Sequence, residues 1–456
     1  MNWIRYEILL LLRSKLSVMA LVFLFALVST SVWFGVQEVQ YQQQTIHELQ
    51  PLHEQDVGLL IDQFKQYPEG GDAGTAAYYT FYYTWNTPSD LAFTAVGLRD
   101  VAPYVLRIRA LALQAQLYDG DAFNPEFVLS GRFDFAFVLI YLVPLFIIAL
   151  MHDLVSSEHQ SGRLTLLHSL PQFNNKRWIK RILLRFTLVL LTLLTPFAVG
   201  AIVPQATVAA TLSFMLIIIS YCAFWFGICT FVIKMVWCSV TNATLLVGIW
   251  IIVTLILPTL TNLVIVRYVP VAQGVDLILT QRQNTHSAWE IPREQTMNNF
   301  FEYHPQWQDT APLPPDFHWK WYFAFHQIAD ESVEDLFKQY RADLYQRQQL
   351  THYLGWILPS VGAQTAIHRL ANTDLAAQLD YQDQIIAFHQ QIRDFYYPYL
   401  FNDLPFTVAD FVRQPVFHES INAPSKISRE NIPFILLSLI IFAISLLTFN
   451  LKSNKH

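Results

Sequence analysis

A chain of 456 residues has room for two or three soluble domains, yet 53% of its residues are hydrophobic and only 14% are charged. An average soluble protein carries roughly 25% charged residues, and a formal net charge of −6 does not alter that deficit, so an ordinary water-soluble protein is excluded. The apolar residues collect in six runs of about twenty, the length that crosses a hydrocarbon core as a helix. The runs are 16–37, 135–151, 182–203, 209–233, 240–266 and 432–451. None has Asp, Glu or Lys in its middle, and Arg185 stands at the edge of the third. Lipid offers the backbone no hydrogen-bond partners, so each run reads as a helix. The expected fold class is an all-α polytopic membrane protein: six transmembrane helices with two mainly helical extracytoplasmic segments.

In chain order, residues 1–15 form a short N-terminal segment with Arg5, Arg13 and Lys15. The run 16–37 is long for a cleaved signal peptide and has no small-residue cleavage site before Trp33 and Gln37, so it is expected to remain as the first span. Residues 38–134 make the first polar segment, in which Ile46, Leu49, Leu59, Leu60 and Phe64 recur at a loosely helical spacing. After a break from Pro68 to Gly74 come Tyr78, Tyr79, Phe81, Tyr82, Tyr83 and Trp85, expected to form a packed seam or an interfacial belt rather than a ligand grip. Span 2 (135–151) leads into a loop at 152–181, and spans 3 to 5 fill 182–266. In the second polar segment, 267–431, a Pro- and aromatic-rich stretch at 304–321 reads as an irregular connection ahead of two helices. Then Val333, Leu336, Phe337, Tyr340, Leu344 and Tyr345 keep the spacing of an amphipathic helix. A second such helix follows Asp374 through Leu375, Leu379, Ile386, Ile392 and Phe395, so a compact helical domain is expected there. Span 6 (432–451) and a tail at 452–456 close the chain.

Basic residues in short loops set orientation. The N-terminal segment, the loop after span 2 with Arg185, the turn at Lys234 and the C-terminal tail hold 12 of the 29 Lys and Arg, and only Glu7, Asp153 and Glu158 of the 35 acids. That side is therefore expected to be cytoplasmic, with both termini inside and both polar segments outside a bacterial plasma (inner) membrane. Cys222, Cys229 and Cys238 all lie in or beside span 4, so no disulfide can staple the polar segments.

Chemistry is conspicuous by its absence. There is no G-x-x-x-x-G-K-[ST] loop, and the stretch GGDAGT at 70–75 lacks the phosphate-binding lysine. No H-E-x-x-H, G-x-S-x-G or paired Cys-x-x-Cys occurs. His318 and His326 are close but eight residues apart, too far for an i, i+4 metal pair, so a structural or surface role is expected for the histidines. No catalytic, cofactor-binding or metal-binding residue is expected, and the chain reads as a non-enzyme that uses no cofactor. Ion-coupled carriers place charges inside the bilayer or show inverted repeats with broken helices, and neither pattern is present. Pro144, Pro196 and Pro258 can kink spans 2, 3 and 5. Energy for any transport should come from a partner.

The most specific stretch follows span 2: His152 to Pro171, HDLVSSEHQSGRLTLLHSLP. It reads as a helix ending near Gly162 in a left-handed cap. A short helix follows, with Leu164, Leu167 and Leu170 on one side, and Pro171 stops it. Lys176, Arg177, Lys180 and Arg181 lead into span 3. Such an apolar stripe on the inner face needs a protein or lipid surface to cover it.

This stretch resembles the E-x-x-x-G-T-L…S-x-P signature of ABC-2-type transporter permeases, the membrane subunits of ATP-binding-cassette exporters. Glu158, Gly162, Leu164, Ser169 and Pro171 match it, while Arg163 replaces the usual Thr. Two further pieces resemble the branch of that family with large segments after spans 1 and 5. One runs from Asn124-Pro125 through Gly131-Arg132-Phe133-Asp134 into Pro144. The other is Leu358-Pro359-Ser360 followed by Ala371-Asn372-Thr373-Asp374, with Asn372 where Gly is usual. The resemblance implies that Glu158, Ser161, Gly162, Leu164, Leu167, Ser169, Leu170 and Pro171 form a coupling helix that docks on a dimer of ABC ATPase subunits. It also implies a second permease copy or a sister permease, set among membrane lipids, and no nucleic acid. The alternative is an ATPase-driven mechanical or signalling subunit that regulates an extracytoplasmic partner without transport.

Overall fold

The computed structural model describes residues 2–118, 133–164, 166, 176–235, 237–271, 274–420 and 426–449. In chain order the first elements are α1 (Asn2–Arg13), α2 (Lys15–Phe64), α3 (Ala73–Tyr79), β1 (Tyr82–Trp85), β2 (Val105–Ile108) and α4 (Leu113–Tyr118). Next come four apolar helices, α5 (Phe135–Gln160), α6 (Lys176–Ile202), α7 (Val208–Ile233) and α8 (Ser239–Tyr268). The remainder are α9 (Gly274–Ala288), α10 (Arg293–Tyr303), α11 (Trp319–Glu331), α12 (Glu334–Gly355), α13 (Pro359–Leu370), α14 (Leu375–Phe401), α15 (Val408–Phe411) and α16 (Ile432–Leu447). Among the described residues six helices are long and apolar enough to cross a membrane: α2, α5, α6, α7, α8 and the one containing α16. They coincide with the six apolar runs of the sequence.

The N-terminal segment is itself a helix, α1, with Tyr6, Leu9, Leu10 and Leu12 exposed. Ser14 separates it from α2 by taking an extended backbone, and its hydroxyl caps the new helix at the Ser17 N–H. Helix α2 then runs unbroken for 50 residues, about 75 Å at 1.5 Å per residue, against a hydrocarbon core of about 30 Å. The first span therefore does not stop where its apolar run ends at residue 37. Its Gln- and Glu-rich continuation keeps good helix formers in register and reaches about 40 Å farther, to Phe64.

Helix α7 is the centre of the bundle, with Ile217, Tyr221, Trp225, Phe226 and Cys229 fully buried against its neighbours. Lipid tails are as apolar as leucine, so shape rather than transfer from water holds such helices together. Aromatic rings fill the gaps: Phe197 stacks on Phe214 at 4.7 Å, and Phe186 meets both Phe226 and Phe442.

Spans 2 and 5 share one device. Each contains a π-helical turn, Val138–Leu142 in α5 and Ile251–Ile256 in α8, with a proline two residues on, Pro144 and Pro258. Proline has no N–H to give, so a carbonyl upstream loses its donor. In α5 the Ile140 carbonyl accepts instead from the Tyr221 hydroxyl at 2.8 Å. In α8 the Val253 carbonyl accepts from the Ser360 hydroxyl at 3.0 Å.

Ser360 belongs to α13, which lies in the polar segment by sequence but packs inside the bundle. Its Ala363, Ala366, Ile367 and Leu370 share the bundle's core. The loop at 91–95 does the same and wedges Phe93 between spans 1 and 3. Only glycine permits that approach, because a Cβ on Gly35 would stand 1.9 Å from the Phe93 carbonyl oxygen. Helix α13 ends at Asn372, whose φ of +53° puts it in the left-handed region. The Thr373 N–H returns to the His368 carbonyl at 3.0 Å, the closure that Gly usually makes and Asn tolerates next best.

The two polar segments do not form separate units. Leu60, Phe64 and Tyr82 from the first share a core with Phe300, Phe388 and Phe406 from the second. Within it β1 and β2 pair antiparallel, from Tyr82 opposite Ile108 to Trp85 opposite Val105, a small departure from the all-α expectation. Of the aromatic cluster, Tyr82 packs in this core, 2% exposed and with its hydroxyl bonded to that of Tyr396 at 3.1 Å, while Tyr79 stays 54% exposed. The two helices expected in the second segment are α12 and α14. The latter is capped by Asp374, which accepts from the Ala377 N–H at 3.1 Å.

Candidate functional site

The loop after span 2 is built from the last turns of α5. Around residues 152–155 the helix loosens into turns before the final piece, Ser156–Gln160. That loosened carbonyl of His152 is not left bare. It accepts from the hydroxyl of buried Ser156 at 3.3 Å and from the amide of Asn242, at the start of α8, at 3.2 Å. Span 5 thereby holds the end of span 2.

Gly162 closes the helix with φ +70°, and its N–H bonds the His159 carbonyl at 3.0 Å. No atom lies within 4 Å of where a Cβ would be, so glycine serves the backbone conformation here and not a close contact. Ser161 is exposed, and its hydroxyl donates to the Glu158 carbonyl at 3.2 Å.

Glu158 is the hub. One carboxylate oxygen pairs with Arg163 at 2.9 Å and the other faces Arg181, from the first turns of α6, at 3.7 Å. Arg181 in turn pairs with Glu7 of α1 at 2.8 Å and lies 5.0 Å from the Trp178 ring. The side chains of Glu7, Glu158 and Arg181 are only 13%, 19% and 21% exposed, so these contacts are screened less than surface pairs. A push on the loop thus meets α1, α6 and α8 at once. Arg185, one turn farther along α6, is half-buried, and one buried guanidinium nitrogen lacks a hydrogen-bond partner among the described residues.

Leu164 is 7% exposed and belongs to the bundle's core. In this structure the chain itself covers that leucine. Leu166 points the other way, 69% exposed. Leu167, Ser169, Leu170 and Pro171 lie outside the described residues. Sequence reasoning placed Glu158, Ser161 and Gly162 together but missed Glu7, Arg181 and Asn242. The available signal was that Glu7, Asp153 and Glu158 are the only acids in the basic short segments.

Among the described residues no group of three or more His, Cys, Asp or Glu could hold a metal ion. The polar domain's titratable groups instead serve its packing. Arg393 and Asp330, both buried, pair at 2.8 Å. Burial works against the Arg393 charge, but Tyr397 and Asp330 outweigh it and hold the guanidinium protonated. Asp330 also accepts from the Leu113 N–H at 2.7 Å and the Gln114 N–H at 3.3 Å, capping α4. Burial drives His326 down to about 3, helped by the Arg393 and Arg109 charges. It also pushes His389 well below the ordinary range, and that ring bonds the carbonyls of Arg109 and Leu111. Both are neutral structural histidines.

Fold and site together define a polytopic helical membrane protein with a polar domain keyed into its bundle. Residues 276–419 match a family described as a domain of unknown function (DUF3526). The match covers most of the second polar segment, from α9 through α15. Neither the curated proteins nor the solved structures gave a match.

Proposed function

We propose that this chain is the permease subunit of an ABC-2-type ATP-driven transporter of the exporter kind, resident in a bacterial inner membrane. In this reading the short-loop end with both termini is cytoplasmic, the polar domain is extracytoplasmic, and a separate pair of ABC ATPase subunits hydrolyses the ATP. A second permease copy or sister permease completes the pathway. The observation that carries it is the Glu158–Gly162 turn, which matches the family's coupling signature and is tied by Arg181 and Asn242 to α1, α6 and α8. Closure of the ATPases would press on exposed Ser161 and Gly162. The ion pairs and the His152 contact would then carry that displacement into spans 2, 3 and 5, whose π turns and prolines provide points of bending. Such coupling works only if nucleotide and cargo each favour one of two states.

A second reading is favoured by one feature. The unbroken 50-residue α2, with α13 anchored in the bundle, makes a stiff link between membrane and polar domain, as a mechanical or signalling subunit without transport would need. Vesicles holding the chain and its ATPase, assayed with labelled lipid-like and peptide solutes, separate the two readings. ATP-dependent movement of a solute supports the permease; ATP-dependent change in the polar domain with no solute moved supports the alternative. Unchanged complex assembly and ATP turnover in Glu158→Ala and Gly162→Ala would sink the coupling assignment in both.

A further inference from the structure

Among the described residues, the β1–β2 ribbon and the residues beside it set two guanidinium groups, those of Arg107 and Arg109, against aromatic rings. Phe81 and Tyr83 are half-buried on one side of the chain here, while Tyr82 and Thr84 are buried. Tyr83 stands opposite Arg107 in register. The Arg107 guanidinium lies 3.8 Å from the centre of the Phe81 ring and 5.6 Å from that of Tyr83. The Arg109 guanidinium lies 4.6 Å from Tyr78 and 5.4 Å from Phe81. Rings and cations thus alternate in a ladder: Tyr83, Arg107, Phe81, Arg109, Tyr78.

Arg107 has one carboxylate, Asp56 at 3.2 Å, which also accepts from the Tyr83 hydroxyl. Arg109 makes no ion pair among the described residues. Its backbone is nevertheless firmly held. The N–H donates to Gln116 at 2.9 Å, and the carbonyl accepts from Gln116 and from buried His389, each at 3.1 Å. A fork-shaped cation on a backbone held just past the end of β2, lying over rings, is arranged to receive a carboxylate.

The aromatic surface continues past the ladder. Tyr78 touches Tyr79, Trp319 and Tyr322, and Tyr322 in turn meets Phe317 and Trp289. Tyr79, Phe317 and Trp289 are about half exposed, at 54%, 48% and 52%. The ladder meets α2 at His53 and Asp56, about 24–29 Å beyond residue 37 by helical rise, too far to be an interfacial belt for lipid headgroups. Arg, Trp and Tyr are the residues enriched at the centres of protein interfaces.

We propose that this face docks a protein partner through a carboxylate-rich segment, with Arg107 and Arg109 taking the carboxylates and Tyr79, Phe317 and Trp289 covering adjoining apolar side chains. The test uses the full chain in detergent with three probes: a dye-labelled Glu/Leu peptide, its Gln/Leu counterpart, and inorganic polyphosphate. The expected result is salt-sensitive binding of the Glu peptide alone, weakened about tenfold or more by Arg109→Gln or Arg107→Gln, with Arg109→Lys intermediate. Tyr79→Ser, away from the cations, should weaken it with no change in salt dependence. Equal binding of the Glu peptide by the parent chain and Arg109→Gln overturns the proposal. So does binding of polyphosphate in place of the peptide, which would make the face a phosphate-polymer site.

Discussion

Replacing Asp330 by alanine should strip the polar domain of a large share of its stability. The carboxylate pairs with Arg393 at 2.8 Å and caps two backbone N–H groups of α4. Both side chains are buried, and the Arg393 Nε already lacks a partner. Breaking a buried pair from one side leaves a charge uncompensated, at about 3–5 kcal/mol, and the lost cap adds about 1 kcal/mol. The total of roughly 4–6 kcal/mol is a large part of the 5–15 kcal/mol by which domains are usually stable. At about 2–4 °C per kcal/mol for a domain of this size, the melting midpoint should fall by roughly 10–20 °C. Tryptophan fluorescence on heating the detergent-purified chain reads it directly, since α11 of this domain carries Trp319 and Trp321. The double variant Asp330→Leu/Arg393→Met removes both charges and should recover much of the loss. A fall of under about 2 °C in the single variant, or a double variant no better than the single, would refute the reasoning.

Tyr221→Phe and Ser360→Ala should each leave a carbonyl unanswered in an apolar bundle and lower heat stability by about 1–3 kcal/mol, read as a shifted melting midpoint. Gly35→Ala drives a Cβ to 1.9 Å from the Phe93 oxygen and should cost about 1–3 kcal/mol as an overpacked contact, visible as lower yield and an earlier melt. His326 is held at about 3 in the folded chain and returns to about 6.5 when unfolded, so the unfolded state binds more protons between those values. Stability is therefore lost as pH falls below 6.5, by about 2 kcal/mol at pH 5 for this residue alone. His389 acts in the same direction. Burial raises Asp134 to about 6, which offsets about 1 kcal/mol at that pH. Melting midpoints at pH 7.5 and pH 5 check the sum, and His326→Phe should flatten the difference.

The six spans are legible because lipid demands about twenty uncharged residues each time, and no other solution writes that pattern. The true length of α2 is not, because an apolar run marks where lipid ends and says nothing about where a helix ends. Helix α13 was hidden for a related reason. Ala363, Ala366 and Ile367 give an ordinary amphipathic spacing, and nothing in it states that a membrane bundle covers the apolar face. The β1–β2 ribbon has four-residue strands, too short for alternation to stand out from an aromatic cluster. At the candidate site Gly162 was legible because a helix end requires a left-handed residue. Arg181 was not, since its partners Glu7 and Glu158 come from distant parts of the chain and only folding brings them to one guanidinium.

The central claim is that the turn at Glu158–Gly162 touches an ATPase. Ser161→Cys, in a Cys238→Ser background that leaves only the buried Cys222 and Cys229, places a thiol on that exposed turn. The chain is co-expressed with an ATP-binding-cassette subunit from the same genome and treated with a short thiol-reactive cross-linker. The account predicts a covalent adduct at residue 161 whose yield changes with ATP, and none from Val264→Cys on the exposed flank of α8. A complex that co-purifies yet gives no adduct at residue 161, with or without ATP, would contradict it.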